Sequence, residues 1–581
     1  MGSKTKKKLA KKMKLTLENE FREAQDNELR QAETKPFNEI ESNWCPEFST
    51  ISSIHDTERL VDVRKEERDA LGDNLEIFFA ASGNVDSRFE VEEIKDFCLG
   101  SSLTDVISAK GPAGDQRIAW IDDRVSGPGL EGSKVARDYK NPLTATGLYR
   151  ALDKLRFNDE VLPDAARRLV YVADLSPACI HALVATASGL QANGLRDAIS
   201  KHLTFQSSIA VKISSAGIRT FQLDLHLPFF KLDKSKPPPN GPPQKGNVKP
   251  RRRWTDLSFL ELETRESQKE EHQDPNEVWG IQEAHISCVV AGTDNWRWIA
   301  YGFVDTEIDG VLADADLEEL KMDQISAANF EMTTPIWNVR DYWIKIFEIR
   351  IDYVRGQWHY LIRKLERSID LYIEAHSPIL SSGTGSRRER AVQVKADFDW
   401  ARQVTDILSR FYGVLSDTIV SWKSFSSPGE DISYFDGTCA NTQLSLRAIK
   451  STFRDLQREE KRLDELKNRC TAFSKDLEFR LHLEVKEAAV ENGDISEINT
   501  TVFYPIALAI SIFSMQQEFI PFQMTPRVLP LAVILLMFMV YAIRLIVRHA
   551  LPWWLLLRGR VLLCIKRHEA DGGNKLPQNP V

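Results

Sequence analysis

The chain has 581 residues and a formal net charge of −8, and 28% of its residues are charged. This mildly acidic balance argues against a polybasic nucleic-acid surface. The seven scattered cysteines form no CxxC pair, which argues against a disulfide framework or a zinc site and suits a reducing cytosol. The sequence contains no HExxH, GxSxG or Walker motif and no Cys/His nucleophile arrangement, so it predicts no enzyme and no permanently bound cofactor.

The amino end is charged and has little apolar pattern, which predicts a flexible arm over residues 1–50. Its first 14 residues contain seven lysines. These lysines are either a solvated tail or a contact for anionic lipid, and the sequence leaves both open.

Residues 51–335 alternate short apolar runs with helical patterns, which predicts a cytosolic α/β domain with a mixed sheet. Ser176 followed by Pro177 predicts the start of a helix that runs to Ala187. The Pro/Gly/Lys-rich stretch 233–253 predicts a surface insertion or linker. The other expected elements are a helix at 195–203, strands at 168–172, 208–213 and 221–227, and a hairpin formed by 284–290 and 296–305.

Residues 336–498 have a sustained helical pattern, which predicts a stalk made of long helices over 341–377, 387–425 and 441–490. The last of these has apolar residues at roughly heptad spacing, a pattern that requires partner helices. The residues of this seam are Ile449, Phe453, Leu456, Leu463, Cys470, Leu477 and Leu481.

Two apolar stretches near the carboxyl end predict transmembrane helices at 499–516 and 528–547. A bilayer core requires about 20 apolar residues and at least about 17, so the second stretch qualifies by length and the first is borderline. Small and hydroxylated residues of the first stretch recur at helical spacing: Thr500, Tyr504, Ala507, Ser511 and Ser514. Such a stripe either packs against other helices or lines a water-filled path when several copies surround an axis.

The short loop after the first stretch reads Ser514-Met515-Gln516-Gln517-Glu518. With Phe503-Tyr504-Pro505 before it and Phe513 next to it, this region resembles the CorA-type divalent cation channels, and in particular their fungal branch. Ser514 and Gln516 stand where that family has the Gly and Asn of its Gly-Met-Asn motif. Gln516 keeps an amide carbonyl that suits a hydrated hard cation.

The resemblance implies an α+β cytosolic domain, a helical stalk and two C-terminal transmembrane helices, assembled as a homopentamer around a pore. It implies a divalent cation, with Mg²⁺ favoured, as the transported ion and as a regulator. The expected pore lining is Glu497, Thr500, Tyr504, Ala507 and Ser511, and the expected selectivity loop is Ser514, Met515, Gln516 and Glu518. Glu497 has a second interpretation, in which Asn492-Gly493 ends the stalk helix, Asp494 caps a new one and Glu497 completes a capping box.

Basic residues predict the orientation in the membrane. Six of them follow the second stretch, whereas the loop 517–527 contains only Arg527, so both termini are expected in the cytoplasm and the loop outside. Arg544 and Arg548 are expected to form an inner basic ring ahead of a basic tail, 548–581. The Trp-containing run 552–557 favours an interfacial anchor over a third crossing.

An acidic stretch, 305–316, approximates a calcium loop with Gly310 at its sixth position. Asp316 replaces the bidentate Glu, and a strand precedes the loop, so an EF-hand is disfavoured. The remaining interpretations are a solvated acidic loop and a divalent-sensing patch of Asp305, Glu307, Asp309, Asp314 and Asp316. A GxGxxG match at 127–132 contains Pro128 and predicts no nucleotide site.

Together these patterns favour a CorA-like membrane channel or transporter for divalent cations. The alternative is a non-transporting, membrane-anchored cytosolic scaffold or receptor that keeps the same fold.

Overall fold

The computed structural model describes residues 58–68, 73–79, 86–125, 136–214, 220–235, 252–262, 277–295, 297–305, 322–332, 335–376 and 387–498, and six residues between 534 and 542. The chain divides into two compact units. The first is Met1–Gly383 with Asp399–Phe473, and the second is Thr384–Phe398 with Ser474–Val581.

A mixed seven-stranded sheet forms the centre of the first unit. Its strands are β1 (Ala119–Arg124), β2 (Arg167–Ala173), β3 (Ser208–Ile213), β4 (Phe221–Ser235), β5 (Trp254–Asp256), β6 (Val278–Gly292) and β7 (Trp298–Val304). Their spatial order is β1-β2-β7-β6-β4-β3, with β5 also pairing with β6. Among these strands β2 and β7 pair in parallel and every other pair is antiparallel.

Short helices cover one face of this sheet. They are α1 (Leu60–Arg68), α2 (Asn74–Phe79), α3 (Asp86–Cys98), α4 (Leu103–Ile107), α5 (Pro112–Asp115), α6 (Ala145–Leu152), α7 (Pro177–Thr186) and α8 (Gly189–Leu203). Helix α7 begins as the sequence predicts, because the Ser176 side chain accepts a hydrogen bond from the Cys179 amide and Pro177 occupies the first turn. Val170, Tyr301 and Val289 lie side by side on β2, β7 and β6 and belong to the same apolar core as side chains of these helices.

Long helices follow the sheet. They are α9 (Val339–Ala375), α10 (Arg387–Phe425) and α11 (Ala440–Ile498), and a 3₁₀ turn (Asp431–Phe435) joins the last two. Helix α9 covers the opposite face of the sheet, where the Trp298 ring lies 5.0 Å from the Tyr342 ring. Gly302 is required at this face because a Cβ atom there would lie 2.7 Å from Ile325 Cγ1.

The structure confirms the coarse prediction of a mixed α/β domain followed by long helices. Within the described residues, the strands and helices predicted between 168 and 490 are present, and the segments 284–290 and 298–304 form the expected antiparallel hairpin. β4 and α11 each extend eight residues beyond their predicted ends. One prediction is wrong in part, because the stretch 233–253 is not entirely a surface insertion. β4 continues to Ser235, and Arg252 is buried in the domain.

Candidate functional site

The seam of α11 belongs to the predicted helical stalk, which leads toward the predicted ion path. Leu481 is half-buried and the other residues of the predicted seam are buried, which confirms that this stripe is an interface. The buried residues are Ile449, Phe453, Leu456, Leu463, Cys470 and Leu477. The Phe453 ring stacks on Trp422 of α10 at 4.5 Å. His359 Nδ1 of α9 lies 2.9 Å from Glu459 Oε1 of α11, so polar contacts fix the register of the helices as well.

The carboxyl end of α11 tests the capping interpretation of Glu497. The helix continues through Gly493 and Asp494 to Ile498. The interpretation in which residues 492–493 end the helix and Asp494 caps a new one is therefore wrong. Glu497 lies in the last turn of α11, three positions before Thr500, which is the spacing of one helical face.

Most of the other predicted site residues lie outside the described residues. They are Thr500, Tyr504, Ala507, Ser511, Ser514, Met515, Gln516, Glu518, Arg544 and Arg548, and, in the acidic stretch, Glu307, Asp309, Asp314 and Asp316. The amino-terminal arm and the GxGxxG match lie outside them too. Within the described part of the chain, no helix combines the length and apolar character needed to span a membrane.

Six residues of the second apolar stretch are described, and all six are helical. The large side chains among them are 51% to 74% exposed: Ile534, Leu535, Phe538, Met539 and Tyr541. Their spacing places them along one helical face. An exposed apolar face of this kind is typical of a surface that contacts lipid or another protein.

Asp305 is the described member of the predicted divalent-sensing patch. Its carboxylate is buried, and its Oδ2 accepts hydrogen bonds from Arg252 Nε at 2.9 Å and from the His285 amide at 2.6 Å. A cation that bound Asp305 would have to compete with the Arg252 guanidinium. The structure therefore places Asp305 in an internal ion pair. The other acidic residues of the predicted patch lie outside the described residues.

Asp305 borders a buried histidine cluster that the sequence analysis did not predict. Ser287 Oγ lies 3.0 Å from Nδ1 of both His202 and His226. Because a hydroxyl has one proton, it can donate to only one of these imidazoles, and the other must donate to it. The His285 ring packs 5.0 Å from His202. The cluster lies between the end of α8 and strands β4 and β6, where it fixes the helix on the sheet.

The electrostatics of this cluster favour a neutral imidazole at His226. Burial lowers the pKa of His226 to about 3, although Asp224 acts in the opposite direction. Burial would raise the pKa of Asp224, but Lys201 and Lys212, each 3.0 Å away, lower it to about 2. A neutral His226 thus lies beside an ionised carboxylate that is held by two lysines.

A second buried network lies on the α9 face of the sheet. Arg167 contacts Asp122 at 3.1 Å and Asp323 at 3.5 Å, and its guanidinium lies over the Trp298 and Tyr342 rings. Burial raises the pKa of both carboxyl groups, and Arg167 acts against it. These contacts join β1 and β2 to α9, so we assign them to the stability of the fold.

Neither network forms a metal site, since the described residues contain no group of three or more His, Cys, Asp or Glu side chains placed to hold a metal ion. The sequence analysis missed the histidine cluster because the alternation of Asp224 and His226 with leucines in β4 is also typical of a strand with one face in solvent. No model of a protein family matches this chain, and a comparison with curated proteins finds no match either.

Proposed function

We propose that this protein is a CorA-like membrane channel or transporter for divalent cations, with Mg²⁺ as the favoured ion. Ions would pass through an oligomeric pore lined by the first apolar stretch. The proposal places the cytosolic domain and the helices α9 to α11 on the inner side of the membrane, with both termini in the cytoplasm.

The continuity of α11 carries this proposal. The helix is unbroken to Ile498, two positions before Thr500 in the sequence. Continued at the same pitch, it would place Glu497, Thr500, Tyr504, Ala507 and Ser511 on one face. Several copies would then surround a path with a ring of carboxylates at its cytosolic mouth and hydroxyls along its wall.

The proposed path suits a hydrated cation. A hard divalent ion such as Mg²⁺ loses its bound water reluctantly. Hydroxyl and amide oxygens can accept hydrogen bonds from that water or coordinate the ion in its place. Ser514, Gln516 and Glu518 would meet the ion at the outer mouth, and the Glu497 carboxylates would attract it at the inner mouth. The exposed face from Ile534 to Tyr541 supports a second helix that contacts lipid or a neighbouring helix.

The experiment is ion flux into liposomes that contain the purified full-length protein and a magnesium-sensitive dye, under an inward-negative potential. We expect flux above that of empty vesicles, and we expect Ser511→Leu and Gln516→Ala to abolish it. Ile512→Leu, a neighbour that lies off the stripe, is the matched control and should retain flux. Absence of flux in the unmodified protein, with correct insertion verified by protease protection, would rule out transport.

A membrane-anchored scaffold or receptor is the second candidate. The observation that favours it is the replacement of the family's Gly and Asn by Ser514 and Gln516, the positions nearest the outer mouth. In that case the unmodified protein would conduct no ions, and the Ser511→Leu and Gln516→Ala variants would bind its partners as the unmodified protein does. The mass of the detergent-extracted complex adds an independent test, because a fivefold assembly supports the channel.

A further inference from the structure

A cavity of about 450 Å³ opens on the α7–α8 side of the sheet, away from the predicted ion path. It lies between α1, the chain that follows α6, and the junction of α7 and α8. This volume is far larger than a single ion needs and is within the range of sites for small organic ligands, about 300–1,000 Å³.

The inner half of the cavity is cationic. Its buried polar lining consists of Arg156, Arg168, Gln191 and Tyr301, which contains two guanidiniums and no carboxylate. Arg168 is held in place by Asp123, with Nε to Oδ1 and Nη2 to Oδ2 both at 2.7 Å. Arg156 is held by neutral acceptors, because its Nε and Nη2 donate to the carbonyl oxygens of Ala165, Ala166 and Trp298 at 2.6–2.7 Å. A buried charge acts through a lower dielectric than an exposed one, so the Arg156 charge contributes to the field at the cavity floor.

Asp123 also lies 3.8 Å from a second guanidinium, that of Arg137. Burial would raise the pKa of Asp123, but Arg168 and the Tyr139 hydroxyl lower it. The carboxylate thus stays ionised while it is shared between two arginines. This sharing leaves the floor of the cavity with positive character.

The amino end of α8 adds to this field. Ala187 and Gln191, on either side of the N-cap residue Ser188, both line the cavity. The first turn of this 15-residue helix contains no acidic residue. The partial positive charge of a helix amino end therefore points to the same space as the two guanidiniums.

The walls and the mouth differ from the floor. Val63, Leu152 and Leu183 give the walls an apolar surface. At the mouth, Arg59 forms ion pairs with Asp62 and with Asp153. The acidic residues of the lining, Glu58, Asp62 and Asp153, are thus confined to the exposed rim, where Lys154 adds another cation.

We propose that this cavity binds a small organic anion, a carboxylate or a phosphate monoester. Its anionic group lies at the floor, between Arg156, Arg168 and the amino end of α8, and its apolar body lies against the leucines of the wall. Such a ligand bridges α1 to the sheet and would act as a regulator of the cytosolic domain. The inference does not depend on ion transport.

The test uses the full-length protein in detergent and three probes with similar rings: phenyl phosphate, benzoate and benzylammonium. Saturation-transfer NMR detects binding, and titration gives the dissociation constant. We expect the anionic probes to bind and benzylammonium not to bind. Tighter binding of phenyl phosphate assigns a phosphate ligand, and equal or tighter binding of benzoate assigns a carboxylate ligand.

Two variants locate the site. Thr186→Trp fills the cavity from its lining and should weaken binding more than tenfold, whereas Thr104→Trp, on an exposed face of α4, should leave it unchanged. Lys154→Gln should weaken binding about two- to fivefold, as expected for one exposed charge, and Lys140→Gln is its control. The proposal is overturned if neither anionic probe binds, if Thr186→Trp binds as the unmodified protein does, or if benzylammonium binds equally well.

Discussion

Arg252 donates a hydrogen bond from Nε to Asp305 Oδ2 over 2.9 Å, and both side chains are buried. The pair joins the chain at the entry to β5 with the residue that follows β7. Arg252 also donates from Nη2 to the His202 carbonyl oxygen at 2.8 Å, so one guanidinium connects three separate segments.

Removing one partner of this pair leaves the other charge buried. We expect Asp305→Asn and Arg252→Gln each to reduce the free energy of unfolding by about 3–5 kcal/mol. The double variant should cost less than the sum of the two, because it leaves no uncompensated charge. Thermal unfolding of the detergent-solubilised protein, followed by circular dichroism, measures the effect. Asp256→Asn, on the exposed part of β5, is the control. Additive losses would contradict the coupling.

Acid should destabilise the domain through His226. Its folded-state pKa of about 3 lies below the ordinary value of 6.5. Below pH 6.5 the unfolded chain binds a proton that the folded chain does not bind, so stability falls as the pH falls from 6.5 toward 3, by up to about 1.4 kcal/mol per pH unit. The contribution of Asp224, whose pKa is lowered from 3.8 to about 2, is lost only below pH 3.8.

Other groups that titrate here, such as His181, cancel when a His226 variant is compared with the unmodified protein over the window from pH 6.5 to 3.8, in which the Asp224 contribution is constant. Melting temperatures recorded across it should fall less steeply for His226→Asn than for the unmodified protein. His482→Gln, which replaces an imidazole that is 74% exposed, should keep the original slope. If the His226→Asn slope equals that of the unmodified protein, His226 does not carry the acid sensitivity.

Periodicity was sufficient to predict the elements that alternate or repeat. The leucines of β4 predict a strand, and Phe453 and Leu456 predict the buried seam of α11. The same periodicity suggests that Asp224 and His226 face solvent, because polar alternation is typical of an exposed sheet face. Which helix covers that face depends on contacts distant in sequence, such as His202 of α8, and these have no local signal. Arg252 was misjudged for the same reason, since it lies at the end of a run that reads as a linker.

The aromatic contact between α10 and α11 should be a main source of stalk stability. Phe453 is 1% exposed and stacks on Trp422. Replacing it by alanine removes a buried ring and leaves a cavity, which costs about 3–5 kcal/mol. Leu444→Ala is the matched control, because Leu444 is on the same helix and is 58% exposed. We expect a clear drop in melting temperature for Phe453→Ala alone. Equal shifts for both variants would mean that the stack does not stabilise the stalk.

Glu497 offers a test of the helical register that the proposed pore requires. If α11 continues into the first apolar stretch, Glu497→Lys places a ring of cations at the inner mouth and should reduce magnesium flux several-fold through repulsion. Glu491 is also on α11 but is rotated from Glu497 by about 120° at 100° per residue. Glu491→Lys should therefore leave flux near its original level.

Comparison of the two variants in the same liposomes, at matched protein density, separates a specific position on the pore axis from a general effect of added positive charge. Equal flux through the two variants would place Glu497 away from the axis, because a carboxylate that faces the ion path cannot be inverted without an electrostatic barrier.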